Sequence, residues 1–129
     1  MTGQRWANVE RLVVRYLRDT LRIPVYTETF ADQGGTEWVT VARIGGHGYD
    51  LEKTINVEVD VHAQTRANMW ALAARVEEAM DRLVAAGTVD GYVDDVAEVF
   101  AFAFDPPANR DVRRATATYA LTLRPQGKQ

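Results

Sequence analysis

The run Thr54-Ile-Asn-Val-Glu-Val-Asp-Val-His-Ala63 limits the possible folds more than any other stretch of the chain. Ile55, Val57, Val59 and Val61 fall on one side of it, and Asn56, Glu58, Asp60 and His62 on the other. A period of two with β-branched residues on the apolar side predicts a half-buried strand. Gln64-Thr65-Arg66 then turns the chain, with Thr65 placed to cap a helix. Met69, Leu72, Ala73, Val76, Met80 and Leu83 recur at helical spacing and form one apolar stripe. A strand and a helix that each have one apolar side bury those sides most simply against each other.

The remaining segments extend this unit. A first helix is expected from about Gln4 to Leu21, with Trp6, Val9, Val13, Tyr16, Leu17 and Thr20 inward. Arg11, Arg15, Arg18 and Arg22 lie opposite, as a solvated face or as a docking stripe for an acidic neighbour. Pro24 ends that helix. Val25–Phe30 and Trp38–Ile44 read as strands, which with 54–63 make an antiparallel meander. The stretches around Gly34 and Gly35 and around Gly46 and His47 read as mobile loops. Gly87 is placed to end the second helix, and Val89–Asp95 is ambiguous. Val96–Phe104 reads as a strand with Phe100, Phe102 and Phe104 on one face. With Val99, Ala101 and Ala103 opposite, that strand is apolar on both sides, and one side needs a cover, either a partner subunit or a local loop. The prolines of 105–110 form a connection, Arg114–Leu123 is the closing strand, and the tail past Pro125 is expected to fray. The fold class is α+β, a single domain over 1–129. A mostly antiparallel sheet of about five strands carries two helices on one face, in the order α-β-β-β-α-β-β.

Little here points to catalysis. The chain contains neither cysteine nor serine, which removes the commonest covalent nucleophiles. Glu58, Asp60 and His62 share a strand face and could form a metal or acid–base site. Residues two apart on a strand are separated by about 7 Å, however, too far for neighbours to share an ion unaided. The expectation is therefore no enzyme, no cofactor and no metal. A net charge of −3 argues against general nucleic-acid binding. No apolar run reaches the roughly 20 residues that span a membrane, and a cytosolic product, or one assembled in the cytosol, is expected. The charge is unevenly placed: 77–111 holds nine acidic residues against two arginines, whereas the first helix carries the arginine stripe. Ala67, Ala71 and Ala74 lie off the apolar stripe of the second helix, either as helix formers or as a face that admits a close neighbour.

The succession of segments is familiar as a whole. Tyr16-Leu17-Arg18 leads to Pro24-Val25-Tyr26-Thr27, then to Val39-Thr-Val-Ala-Arg-Ile-Gly-Gly46 and Val57-Glu-Val-Asp-Val61. Ala63-Gln-Thr-Arg66, the alanine-rich helix and Leu121-Thr-Leu-Arg-Pro125 follow. From Val9 to Pro125 this order resembles the tail terminator family of long-tailed bacteriophages, the actinobacteriophage type. The resemblance rests on order and spacing, and Phe100-Ala-Phe-Ala-Phe104 departs from it. It implies a structural virion protein, assembled in the host cytoplasm and found at the head-proximal end of the tail. Six copies would form a ring that caps the tail tube, stops its polymerisation and meets a head-completion or neck protein. DNA would pass through the lumen without sequence-specific binding. A head–tail connector or neck ring component is the alternative, and a small metal-dependent enzyme built on Glu58, Asp60 and His62 a more distant one. Candidate interface residues are Arg11, Arg15, Arg18, Arg22, Gly34, Gly35, Gly46, His47, Ala67, Ala71 and Ala74.

Overall fold

The computed structural model describes residues 6–28, 36–49, 51–106 and 111–125. Its elements run α1 (Val9–Leu21), β1 (Val25–Tyr26), β2 (Glu37–Tyr49), β3 (Glu52–Ala63), α2 (Arg66–Ala86), β4 (Asp95–Phe104) and β5 (Arg113–Leu123). This is the expected α+β order, with five strands in one sheet arranged β1-β2-β3-β5-β4. The alternating run lies in the middle strand, where a strand buried on one face and bonded on both edges gains most. Ile55, Val57, Val59 and Val61 are at most 4% exposed, which stabilises the fold by roughly 1.5–3 kcal/mol for each side chain. β5 lies antiparallel beside β3 and brings Leu121, Tyr119, Ala117 and Ala115 opposite those four residues on the same buried face.

Three expectations about the strands need correction. The first strand is two residues long and pairs parallel to β2, Val25 with Val39 and Tyr26 with Thr40, so there is no three-stranded meander. Helix α1 runs opposite to β2, its Glu10 level with Arg43 and its Arg18 beside Val25, so the chain that turns back after it meets β2 in parallel. Second, β2 does not end at Ile44. It continues through Gly46 and His47 to Tyr49, pairing Gly46 with Ile55 and His47 with Thr54. The expected mobile loop is therefore the far half of the β2–β3 ribbon, which β5 extends on the other side of β3. A bulge between Arg43 and Gly45 and positive φ values at Gly45 (135°) and Gly46 (139°) bend the strand without ending it. Third, Phe100, Phe102 and Phe104 do not share a face. Irregularities between Glu98 and Phe100 and between Phe100 and Ala103 break the period of two. Phe102 and Phe104 pack against the core, whereas Phe100 pairs with Thr118 on the opposite face and is 68% exposed. Gly34 and Gly35, the end of the expected first strand, residues 107–110 and the tail past Pro125 lie outside the described residues.

Both helices lie on one face, capped as their sequences direct. Asn8 caps α1 by accepting from the Arg11 amide at 3.1 Å, so the helix begins at Val9 and Trp6 precedes it. Thr65 caps α2 in the same way through the Asn68 amide, and Gly87 (φ 64°) ends it. The apolar stripe of α2 is buried as expected, from Met69 to Leu83. On α1 the buried arc is Val9, Leu12, Val13, Val14, Leu17 and Leu21, and Thr20 is exposed. That arc is wider than expected because α1 packs on both the sheet and α2. Across the joint, the Tyr16 hydroxyl donates to the Ala79 carbonyl at 2.5 Å and Arg75 donates to the Leu21 carbonyl at 2.6 Å. Helix α1 covers β1 and β2, and α2 covers β3, β5 and β4.

Candidate functional site

The sheet face away from the helices is built from the residues that alternate with the core. Registers place Trp38, His62 and Arg114 in one row, Thr40, Asp60 and Thr116 in the next, and Ala42, Glu58 and Thr118 beyond. The first rows are closed and polar. The Trp38 and His62 rings stack with centroids 4.8 Å apart and planes 4° apart. His62 Nε2 lies 3.2 Å from Thr40 Oγ1, and Arg114 pairs with Asp105 at 2.9 Å. The Thr116 hydroxyl donates to the same Asp105 carboxylate. Burial, with Arg114 close by, lowers the His62 pKa to about 4. Burial raises that of Asp60 to about 6, Glu58 adding to the rise and Thr116 and Arg114 opposing it.

Sequence reasoning placed this strand face in solvent; instead, His62 is only 4% exposed and Trp38 only 7%. An imidazole stacked on one side and engaged at Nε2 is a structural element of the sheet. Among the described residues no group of three or more histidine, aspartate or glutamate side chains is placed to hold a metal ion.

The arginine stripe divides. Arg11 Nε and Arg15 Nη1 both reach Asp90 Oδ1, at 3.4 and 3.3 Å. Arg18 donates to the Val25 carbonyl at 2.7 Å. Arg22 sits past the helix end in the left-handed region (φ 60°), and its side chain points to solvent. Two of the four cations thus brace the turn after α2, where the Thr88 hydroxyl also donates to the Gly91 carbonyl. That turn presents Val89 at 86% exposure and Tyr92 at 70%, beside Val84 at 43%. Sequence reasoning missed this apolar group, and an ambiguous segment holding Val89 and Tyr92 was the only signal for it.

Ala67, Ala71 and Ala74 are exposed along α2, and Trp70, 38% exposed, stands among them. Its spacing of three from Ala67 and four from Ala74 was the overlooked sign. Gly46 and His47 lie on the exposed ribbon, far in sequence from these helical residues and on a different element. Among the described residues the candidates therefore form several separate surfaces.

The opposite edges of the sheet differ in charge. The β1–β2 edge lies under α1 and carries Arg18, Arg22 and Arg43, with Glu10 and Asp19 among them. The β4 edge lies under α2 and gathers Glu77, Asp81, Asp95 and Glu98. Burial raises the Glu77 pKa, and Glu98 and Asp81 raise it further. The Tyr119 hydroxyl beneath them is also pushed up, first by burial and then by Glu98, Glu77 and Asp81.

These features define a two-layer α+β protein whose distinguishing features are surfaces. No protein-family model matches the chain, and no curated protein matches it. Among solved structures, a chain in the virion of a native gene transfer agent particle is similar in fold, with a TM-score of 0.58 and 15% identity. The match covers 94% of this chain and 96% of that one, so the likeness extends over the whole domain.

Proposed function

We propose that this chain is a structural virion protein of the tail-terminator kind, a subunit of a hexameric ring that caps a tail tube and joins it to the neck. The observation that carries the proposal is the end-to-end fold likeness to a component of a gene transfer agent virion. Two properties of the molecule support it. Its exposed apolar groups, Val89 with Tyr92 and Val99 with Phe100, lie on separate surfaces, as a subunit with more than one neighbour requires. Its basic and acidic edges are at opposite ends of one sheet, and a head-to-tail ring needs two different complementary patches on each subunit. The chemistry of its surfaces is that of protein contact, with the tube below, the neck protein above and a lumen for DNA. Such a subunit works in the virion, after assembly in the host cytoplasm.

Native mass spectrometry of the purified protein, followed by electron microscopy with phage tail tubes, tests the proposal. A six-fold species and density at one tube end are expected. A protein that stays monomeric and leaves tubes uncapped overturns it. Density at the portal side of heads with bare tubes would favour a neck component instead.

A further inference from the structure

A sheet has two edges, and here each carries backbone with no strand beside it among the described residues. β4 is the last strand on its side, and Val99 and Phe100 on it are 46% and 68% exposed. On the other side β1 covers only Val39 and Thr40 of β2. Past them the Arg43 amide donates to Glu10 Oε2 at 2.8 Å, and residues 44–48 are exposed. An exposed edge of this length, with no strand beside it among the described residues, is a template for a further strand.

Strand direction and charge identify which strand. β2 is antiparallel to β3, β3 to β5 and β5 to β4, so β4 runs opposite to β2. A second copy, set beside the first by rotation about an axis along the strands, therefore offers its β2 antiparallel to the first copy's β4. Neither strand has to reverse. On the β4 side Asp95, Glu98 and Asp81 have no ion-pair partner among the described residues, and on the β2 side the Arg43 side chain has none either. A two-fold pair of β4 strands would instead bring acid against acid.

We propose that β4 of one copy pairs antiparallel with the outer edge of the β2 ribbon, residues 44–48, of the next copy, so that the sheet continues from subunit to subunit. This rests on the ring proposed above and names its subunit joint. Glu98 and Arg43 meet across the joint, and Phe100 enters the contact at its centre. The two irregularities in β4 add local twist at the joint, which lets a continued sheet turn towards closure.

The chain has no cysteine, so introduced thiols report the joint without background. Arg43→Cys and Glu98→Cys proteins are prepared separately and treated with a short bis-maleimide, alone and mixed. Cross-linked dimers are expected only in the mixture, and the double variant should give a ladder of higher species. In parallel, Glu98→Arg and Arg43→Glu should each weaken assembly several-fold by sedimentation, and their combination should restore it. Rings seen by native mass spectrometry with no mixed cross-link and no rescue would overturn the edge pairing and leave the ring standing. Cross-linking of the Glu98→Cys protein with itself would show a two-fold β4 pair and overturn it too. A folded protein that gives neither rings nor cross-links at any concentration removes the ring reading and the joint with it.

Discussion

Gly46 shows how closely single residues shape the ribbon. A Cβ built there would lie 2.0 Å from the Thr54 carbonyl oxygen, on a backbone with φ of 139°. At Gly45, φ is 135° and nothing lies within 4 Å. Gly46→Ala should therefore destabilise the protein by about 2–4 kcal/mol through clash and strain together, and Gly45→Ala by about 1–2 kcal/mol through strain alone. Urea melts of both variants measure the difference, and equal losses would mean that the close approach to Thr54 is absent. Asp60 and His62 give a second prediction at this scale, through linkage. Burial raises the Asp60 pKa from 3.8 to about 6, so its contribution to stability is present below 3.8 and lost as pH rises through 6. The His62 pKa falls from 6.5 to about 4, so its contribution is present above 6.5 and lost as pH falls towards 4. Between about pH 4 and 6 the two oppose each other, and these two groups should leave the wild-type melting temperature nearly flat there. Asp60→Asn should uncover a loss on acidification, and His62→Gln a gain, each limited to about 1.4 kcal/mol per pH unit for one proton. Thermal melts from pH 4 to 7 read both slopes.

Among the elements, β3 carries the fold, because its buried side chains touch both helices' layer and both neighbouring strands. Val59→Asp places a carboxylate where exposure is 0% and no partner exists, at a cost of several kcal/mol, enough to unfold a domain of ordinary stability. Glu58→Ala, half-buried on the other face beside Ala42 and Thr118, should lower the melting temperature only slightly. Circular dichroism on the two variants checks the register, and comparable losses would contradict it. The helix joint has its own logic. Arg11 and Arg15 neutralise Asp90 within the subunit and hold the turn that presents Val89. These arginines act first inside the molecule, as Arg18 does on the Val25 carbonyl, and only Arg22 and the exposed flank of the others remain for the proposed neighbour.

At the scale of the whole molecule, charge separation across the sheet predicts how assembly responds to salt. Exposed pairs contribute only about 0–1 kcal/mol each and are screened beyond roughly 8 Å at physiological ionic strength. Raising salt should shift the proposed ring towards monomer by sedimentation and leave the melting temperature almost unchanged, with apolar contacts holding what remains. Arg22→Gly separates docking from stability. Glycine suits the left-handed φ of 60° there, so stability should hold or rise by about 0–1 kcal/mol. If the cation serves a neighbour, ring formation should weaken all the same. Unchanged assembly would confine the docking surface to the strand edges and to Arg18.

What the sequence determined by itself was whatever depends on periodicity and local capping. The two faces of 54–63 and 114–123, the stripe of α2, its cap at Thr65 and its stop at Gly87 were all legible, because the pleat and the helical turn impose their periods residue by residue. Tertiary structure alone decided what depends on a partner strand. Gly45–Gly48 could be loop or ladder until 53–56 lay beside it, and the short first strand could run either way until α1 placed it. The phenylalanine run could lie on one face until pairing with β5 introduced its bulges. Likewise the arginine stripe looked free because Asp90 is 75 residues away from Arg15 in sequence. Side-chain alternation is a property of one backbone, whereas register, bulges and ion pairs are chosen by the free energy of two segments meeting, and that choice is made only when the chain folds.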